Sequence, residues 1–345
     1  MLHRSLTAVL IAISVVALAP LTVAAQSAES EAPRTPWGAP DLQGVWDFRS
    51  LTPLERPEDL GEKAFLTEEE AANIEQEAIQ RNEELLNRPP ETTTAGGSVD
   101  VREDGSPGFY NNFWLDRGTQ TVGDRRTSLI VSPSNGRIPA MTAAAAKRAE
   151  ELARLRRGVD NHAPTPGGWI HDLGADGLQL RCITGFNSGP PMTPGGYNQN
   201  VQLLQTPDQV VLLNEMNHNF RVIPLDGRST TGIPQWTGES RGYWDGDTLV
   251  VETTNFLRET SFARGRSTEH LHLTERFTRV SPSTLRYEAT IDDPTVWQQP
   301  WTFEIPMQWN EQPLYEYACH EGNYGLYNIL AGARVEEAAA ESSEQ

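Results

Sequence analysis

The chain has 345 residues, 47 acidic against 28 basic side chains, and a formal net charge of −19. A field of that sign repels phosphate backbones, so the composition excludes nucleic acid as a partner. The length suits one large domain.

Residues 1–25 predict an export signal. Met1-Leu2-His3-Arg4 is a basic start, Leu6 to Leu18 an apolar run, and Val23-Ala24-Ala25 a small-residue cleavage site. A bilayer span needs about 20 apolar residues, and Pro20 interrupts this run. With the signal removed no membrane span is expected, and the expected location is periplasmic or secreted. The two cysteines, Cys182 and Cys319, in an exported protein predict a disulfide before a metal or redox site.

Beyond the signal, residues 26–36 predict a disordered leader, 37–334 a single β-rich domain, and 335–345 a disordered acidic tail. Trp37 to Phe48 reads as a turn running into a first strand. A helix is predicted over 68–87, where Thr67 and Glu70 form a capping box and Pro89-Pro90 stops it. Phe109 to Trp114 is an aromatic-polar cluster, and Thr127 to Ser132 a strand. A second helix is predicted over 143–157, capped by Thr142 and closed by Gly158. Residues 159–200 are loop-rich and contain His162, His171 and Cys182; loops of that length are often functional.

From residue 201 strands follow one another: 201–205, 209–215, 220–224, the hairpin Ser240 to Phe256 around Asp245-Gly246, then 270–280, 284–292, 301–309 and 314–319. A contiguous meander of this kind predicts a mostly β fold, an antiparallel barrel or sandwich. Period-2 alternation assigns the faces. Trp301, Phe303, Ile305, Met307 and Trp309 share one face, as do Leu285, Tyr287, Ala289 and Ile291.

The same rule puts Glu275 on a face with Leu271, Leu273 and Phe277, and Glu215 at the end of the face of Val211 and Leu213. A bare carboxylate on an apolar face is costly, so each must be paired, protonated or facing a cavity. Pairing with Arg221 or Arg276 is one outcome. Acid/base work is the other. The run Cys319-His320-Glu321, two residues after Tyr317, is dense in functional side chains. No Gly-x-Ser-x-Gly elbow, phosphate loop or dinucleotide fingerprint is present in a fitting context.

Three resemblances accompany these readings. Gly44-Val45-Trp46 resembles the Gly-x-Trp that opens lipocalin-like barrels, which implies a meander closing into a barrel with the Trp plugging one end. His270-Leu271-His272 before Glu275 resembles the first cupin motif, which implies a metal on His270 and His272; the family places its Glu one residue later, where this chain has Arg276. PWGAPDLQGVW (36–46), IPLDGR (223–228), SRGYWDGDTLVVETTNF (240–256), LHLTERFTR (271–279) and YEYACHEGNYGL (315–326) together resemble a family of exported bacterial proteins, with no activity implied.

The expected function is an exported lyase, isomerase or hydrolase acting on a small organic molecule. Glu215, His218, Arg221, His272, Glu275, Tyr317, His320 and Glu321 are its candidate residues, and no cofactor is expected. The alternatives are a non-catalytic barrel binding a small apolar ligand or an envelope partner, and a cupin-like metal enzyme.

Overall fold

The computed structural model describes residues 33–87, 115–157, 178–179, 181–258 and 268–343. The export signal, the 109–114 cluster, His162 and His171 lie outside the described residues. Within these residues ten strands run in chain order: β1 (Gly44–Asp47), β2 (Ile130–Ser132), β3 (Asn200–Gln205), β4 (Gln209–Asn214), β5 (Phe220–Pro224), β6 (Glu239–Asp245), β7 (Thr248–Thr254), β8 (His272–Ser281), β9 (Thr284–Asp292) and β10 (Trp301–Asn310). Among the described residues three α-helices accompany them: α1 (Glu68–Asn87), α2 (Ala143–Arg156) and α3 (Tyr324–Ser343). One antiparallel sheet takes the order β5-β4-β3-β1-β10-β9-β8-β7-β6, with β2 also pairing to β10.

Local chemistry explains the elements. At the start of α1 the Glu70 amide donates to the Thr67 hydroxyl at 3.2 Å, and the Thr67 amide donates to the Glu70 carboxylate at 2.8 Å, which is a closed capping box. Thr142 Oγ1 accepts from the Ala145 amide to start α2. The β6–β7 hairpin closes on the pair Asp245–Thr248, so its central residues are Gly246-Asp247, one position later than the sequence reading. Gly246 at φ 60° supplies the positive φ at the first central position, which is where a type II′ turn needs glycine.

Alternation holds through the sheet. On β10, Trp301, Phe303, Ile305 and Met307 are buried, and on β9 Leu285, Tyr287, Ala289 and Ile291 are fully enclosed. These residues join Trp46, Val201, Leu203, Leu212 and Phe277 in one continuous core on the concave face.

The sheet rolls far enough that its two edge strands meet, yet no ladder hydrogen bonds join β5 to β6 among the described residues, so the expected barrel is not closed. Side chains seal the seam instead: a Cβ on Gly242 of β6 would lie 2.8 Å from both Ile223 Cγ2 and Leu225 Cδ2. Two further expectations are corrected. Residues 314–319 form no strand; they run beside no ladder partner and are held by a disulfide and by His218. The tail from 335 is helical through Ser343 as part of α3, because its alanines and glutamates are strong helix formers.

Trp46 is fully buried and its indole N–H donates to the Leu42 carbonyl at 2.9 Å. Trp309 meets it edge-on at 5.3 Å, and the Arg279 guanidinium lies over both rings at 5.2 and 5.4 Å. Gly44 makes this stack possible: a Cβ there would sit 2.1 Å from the Trp309 ring, and its φ is +128°. Gly44→Ala is therefore expected to cost at least about 1–3 kcal/mol through overpacking, read as a lower midpoint in urea unfolding with an unchanged slope.

Candidate active site

Most of the interior of the rolled sheet is apolar, and one charged pair lies within it. Arg221 points inward from the edge strand β5 and meets Glu275 of β8 in a bidentate ion pair, with NH1 to Oε2 at 2.6 Å and NH2 to Oε1 at 2.9 Å. Arg221 is 6% exposed and Glu275 0%. The Tyr287 hydroxyl, also wholly enclosed, donates to Glu275 Oε1 at 2.8 Å and accepts from the Met192 amide at 3.0 Å. Ser240 of β6 lies 3.4 Å from Arg221 NH1 and shares a 2.9 Å hydrogen bond with Thr253 of β7. One network thus spans β5, β6, β7, β8, β9 and the loop before β3.

Its electrostatics follow from burial and pairing. Desolvation works against the Arg221 charge, but the Glu275 carboxylate outweighs it and holds the guanidinium pKa above its ordinary value. Desolvation and the neighbouring Glu275 charge both push Tyr287 well above the ordinary phenol range. The phenol therefore stays protonated and acts as a donor toward the carboxylate.

The other predicted residues fall into two groups. Glu215 is mostly buried; its carboxylate accepts from Asn200 Nδ2 at 2.8 Å, and Asn200 Oδ1 accepts from Asn310. It opens a 3₁₀ turn, Met216–His218, in which Asn217 and His218 have positive φ of 57° and 48°. His218 Nε2 accepts from the Tyr317 amide at 3.2 Å and lies 3.1 Å from the Tyr315 carbonyl, so the ring holds the 315–317 segment. Cys182 and Cys319 are disulfide-bonded with Cα atoms 5.8 Å apart, tying that segment to the 181–199 loop. Glu215, His218 and Tyr317 are thus gathered at one end of the sheet by backbone and amide contacts.

His270, His272, His320 and Glu321 are exposed. His272 points outward and Glu275 inward, so the cupin-like set shares no face. Among the described residues no group of three or more His, Cys, Asp or Glu is placed to hold a metal. Of the eight expected active-site residues, only Arg221 and Glu275 meet through their side chains in the interior.

Sequence reading missed Tyr287 and Ser240 as polar partners of this pair, and the Met192 amide and Thr253 as the partners of those two. Tyr287 was visible only as one member of an apolar alternation. It also missed Glu239, 5% exposed, whose carboxylate accepts from the Thr231 amide and hydroxyl, the Gly232 amide, Asn255 and Arg241. Desolvation alone would raise this carboxyl, but hydrogen bonds from the Thr231 amide, Asn255, the Thr231 hydroxyl and Arg241 outweigh it and hold it at about 2 against an ordinary 4.5.

The fold and site define a mostly β protein with one open, rolled antiparallel sheet around a buried Arg–Glu–Tyr network. No helix of the described residues is long and apolar enough to cross a membrane. No family model, curated protein or solved structure matches the chain.

Two outcomes follow from the site. Glu275→Gln leaves Arg221 buried without its counter-ion, which is expected to cost about 3–5 kcal/mol, whereas the double change Arg221→Met with Glu275→Leu is expected to be neutral or stabilising by about 1–4 kcal/mol; chemical unfolding of the three proteins measures this. The depressed Glu239 carboxyl stabilises the fold fully above pH 4.5, and that contribution is lost as pH falls toward about 2. The melting-temperature gap between wild type and Glu239→Gln should therefore be widest near neutrality and close across that window.

Proposed function

We propose that the chain is an exported enzyme that moves a proton on a small organic molecule, with Glu275 as base and Tyr287 as acid. Arg221 holds the Glu275 carboxylate aligned through its two hydrogen bonds. Taking a proton onto Glu275 weakens its tie to Arg221, and the Tyr287 hydroxyl, freed from an anionic acceptor, donates to the oxygen on which charge develops. That sequence fits a lyase or isomerase acting beside a carbonyl or hydroxyl group. Export fits the Cys182–Cys319 disulfide, since such bonds persist in oxidising compartments, and it fits the signal expected at residues 1–25.

One observation carries this reading: a bidentate ion pair and a phenol lie together at 0–6% exposure inside an apolar interior. An ion pair there contributes little net stability relative to packed hydrophobic residues. Titratable groups perturbed by burial and a specific charged partner mark functional-site candidates. The alternative of an apolar-ligand barrel gains less support, because Trp46, Phe277, Tyr287, Trp301 and Phe303 fill the concave face.

Solvent deuterium incorporation into a panel of small hydroxy and carbonyl compounds, followed by proton NMR, tests the proposal. Wild type should exchange a carbon-bound proton. Glu275→Gln and the Arg221→Met/Glu275→Leu double variant, checked for folding by circular dichroism, should lose that exchange by about 10²-fold or more. Retained exchange in the folded double variant would sink the assignment. His272→Ala and His320→Ala should leave it unchanged.

A further inference from the structure

The loop before β3 does more than connect. Residues 183–194 carry Met192 into the core, where it is 0% exposed, and the Met192 amide is the group that donates to the Tyr287 hydroxyl. Among the described residues the loop's other hydrogen bonds close within 178–199: Ile183 to Leu178, Gly185 to Ser188, Thr193 to Asn187, and Asn187 Nδ2 to the Tyr197 carbonyl. Its hydrogen bond to the site is the one from the Met192 amide, and the Met192 side chain joins the core beside it. Its backbone is built for close seating: a Cβ on Gly185 would lie 2.0 Å from Met216 Cγ, and Gly189 has φ +73°. The Cys182–Cys319 bond anchors its leading end, while Gly195 N donates to Gln199 Oε1 at its trailing end.

We infer that residues 183–194 form a plug over the Arg221–Glu275–Tyr287 site, with Met192 standing where the ligand binds, and that the ligand is a small alcohol with an apolar arm. The inference rests on the acid–base reading of that site and names its ligand class. Met192 satisfies the site in two ways that a ligand must reproduce: an apolar arm fills the core, and an N–H donor meets the phenol oxygen, whose own proton is committed to Glu275. A hydroxyl supplies that donor. Arg221 Nε is also buried and has no hydrogen-bond partner, and an oxygen on the ligand is the acceptor it lacks. Displacing the plug reduces the apparent affinity by the fraction of molecules that are open.

The test uses the full mature chain and calorimetric titration with n-pentanol and with n-butyl methyl ether, which has similar bulk and no donor. Met192→Ala should bind pentanol at least about tenfold more tightly than wild type does, because the competing arm is gone. It should also prefer pentanol to the ether by about tenfold, and Met192→Ala/Tyr287→Phe should lose that preference. Equal binding of alcohol and ether would reveal an ordinary apolar cavity and overturn the inference, as would binding of neither. Should Met192→Ala fail to fold, hydrogen exchange of wild type decides. Exchange of the Met192 amide at least about tenfold faster than the Phe277 and Ile305 amides supports an opening plug, and exchange in step with them overturns it. Turnover enters neither readout, so a failure here is separable from a failure of the deuterium-incorporation test.

Discussion

The ion pair between Arg221 and Glu275 is the constraint around which the sheet is arranged. Arg221 belongs to the first strand of the sheet order and Glu275 to the seventh, so their contact requires the sheet to roll until opposite parts of its concave face meet. Burying both charges is tolerable because they pair: two guanidinium nitrogens meet the two carboxylate oxygens, and the carboxylate also accepts from the Tyr287 phenol. With the pair in place the edge strands β5 and β6 come together. Gly242 gives Ile223 and Leu225 the room to close the seam without a hydrogen-bonded ladder.

Other anchors add to the sheet ladder or hold segments outside it. The stack of Trp46, Arg279 and Trp309 fixes the first strand against the end of the last. Glu239 gathers the loop after β5 onto the start of β6 with a set of amide and hydroxyl donors. The disulfide and His218 hold the segment between β10 and α3, which has no strand partner. In the chain-entropy picture a bridge across a separation of 137 residues stabilises by about 4–5 kcal/mol.

The chemistry of the site differs from what a list of ionisable residues suggests. Histidines are the usual proton carriers near neutral pH, yet His270, His272 and His320 lie on the surface and His218 is engaged by backbone. A carboxylate, a guanidinium and a phenol occupy the interior instead. Their mutual bonds leave the phenol oxygen as the point where an outside donor enters, and the Met192 amide occupies it.

The amino-acid pattern determined much of this protein on its own. Period-2 alternation assigned the buried faces of β8, β9 and β10, Thr67-x-x-Glu70 and Thr142 set the helix starts, and two cysteines implied their bridge. Alternation also showed that Glu275 faces inward, because face is a local property of a strand. It could not show which arginine Glu275 meets: Arg221 lies 54 positions away, and contact between them depends on how far the whole sheet rolls. The link to Tyr287 was equally out of reach. Ser281 pairs with Thr284 at the β8–β9 turn, and continuing that register would set Glu275 opposite Thr290; a shift between Arg279 and Ser281 sets it opposite Ala289, on the same face as Tyr287. A one-residue slip exchanges the faces of a strand, so that irregularity, fixed by tertiary packing, brought carboxylate and phenol together.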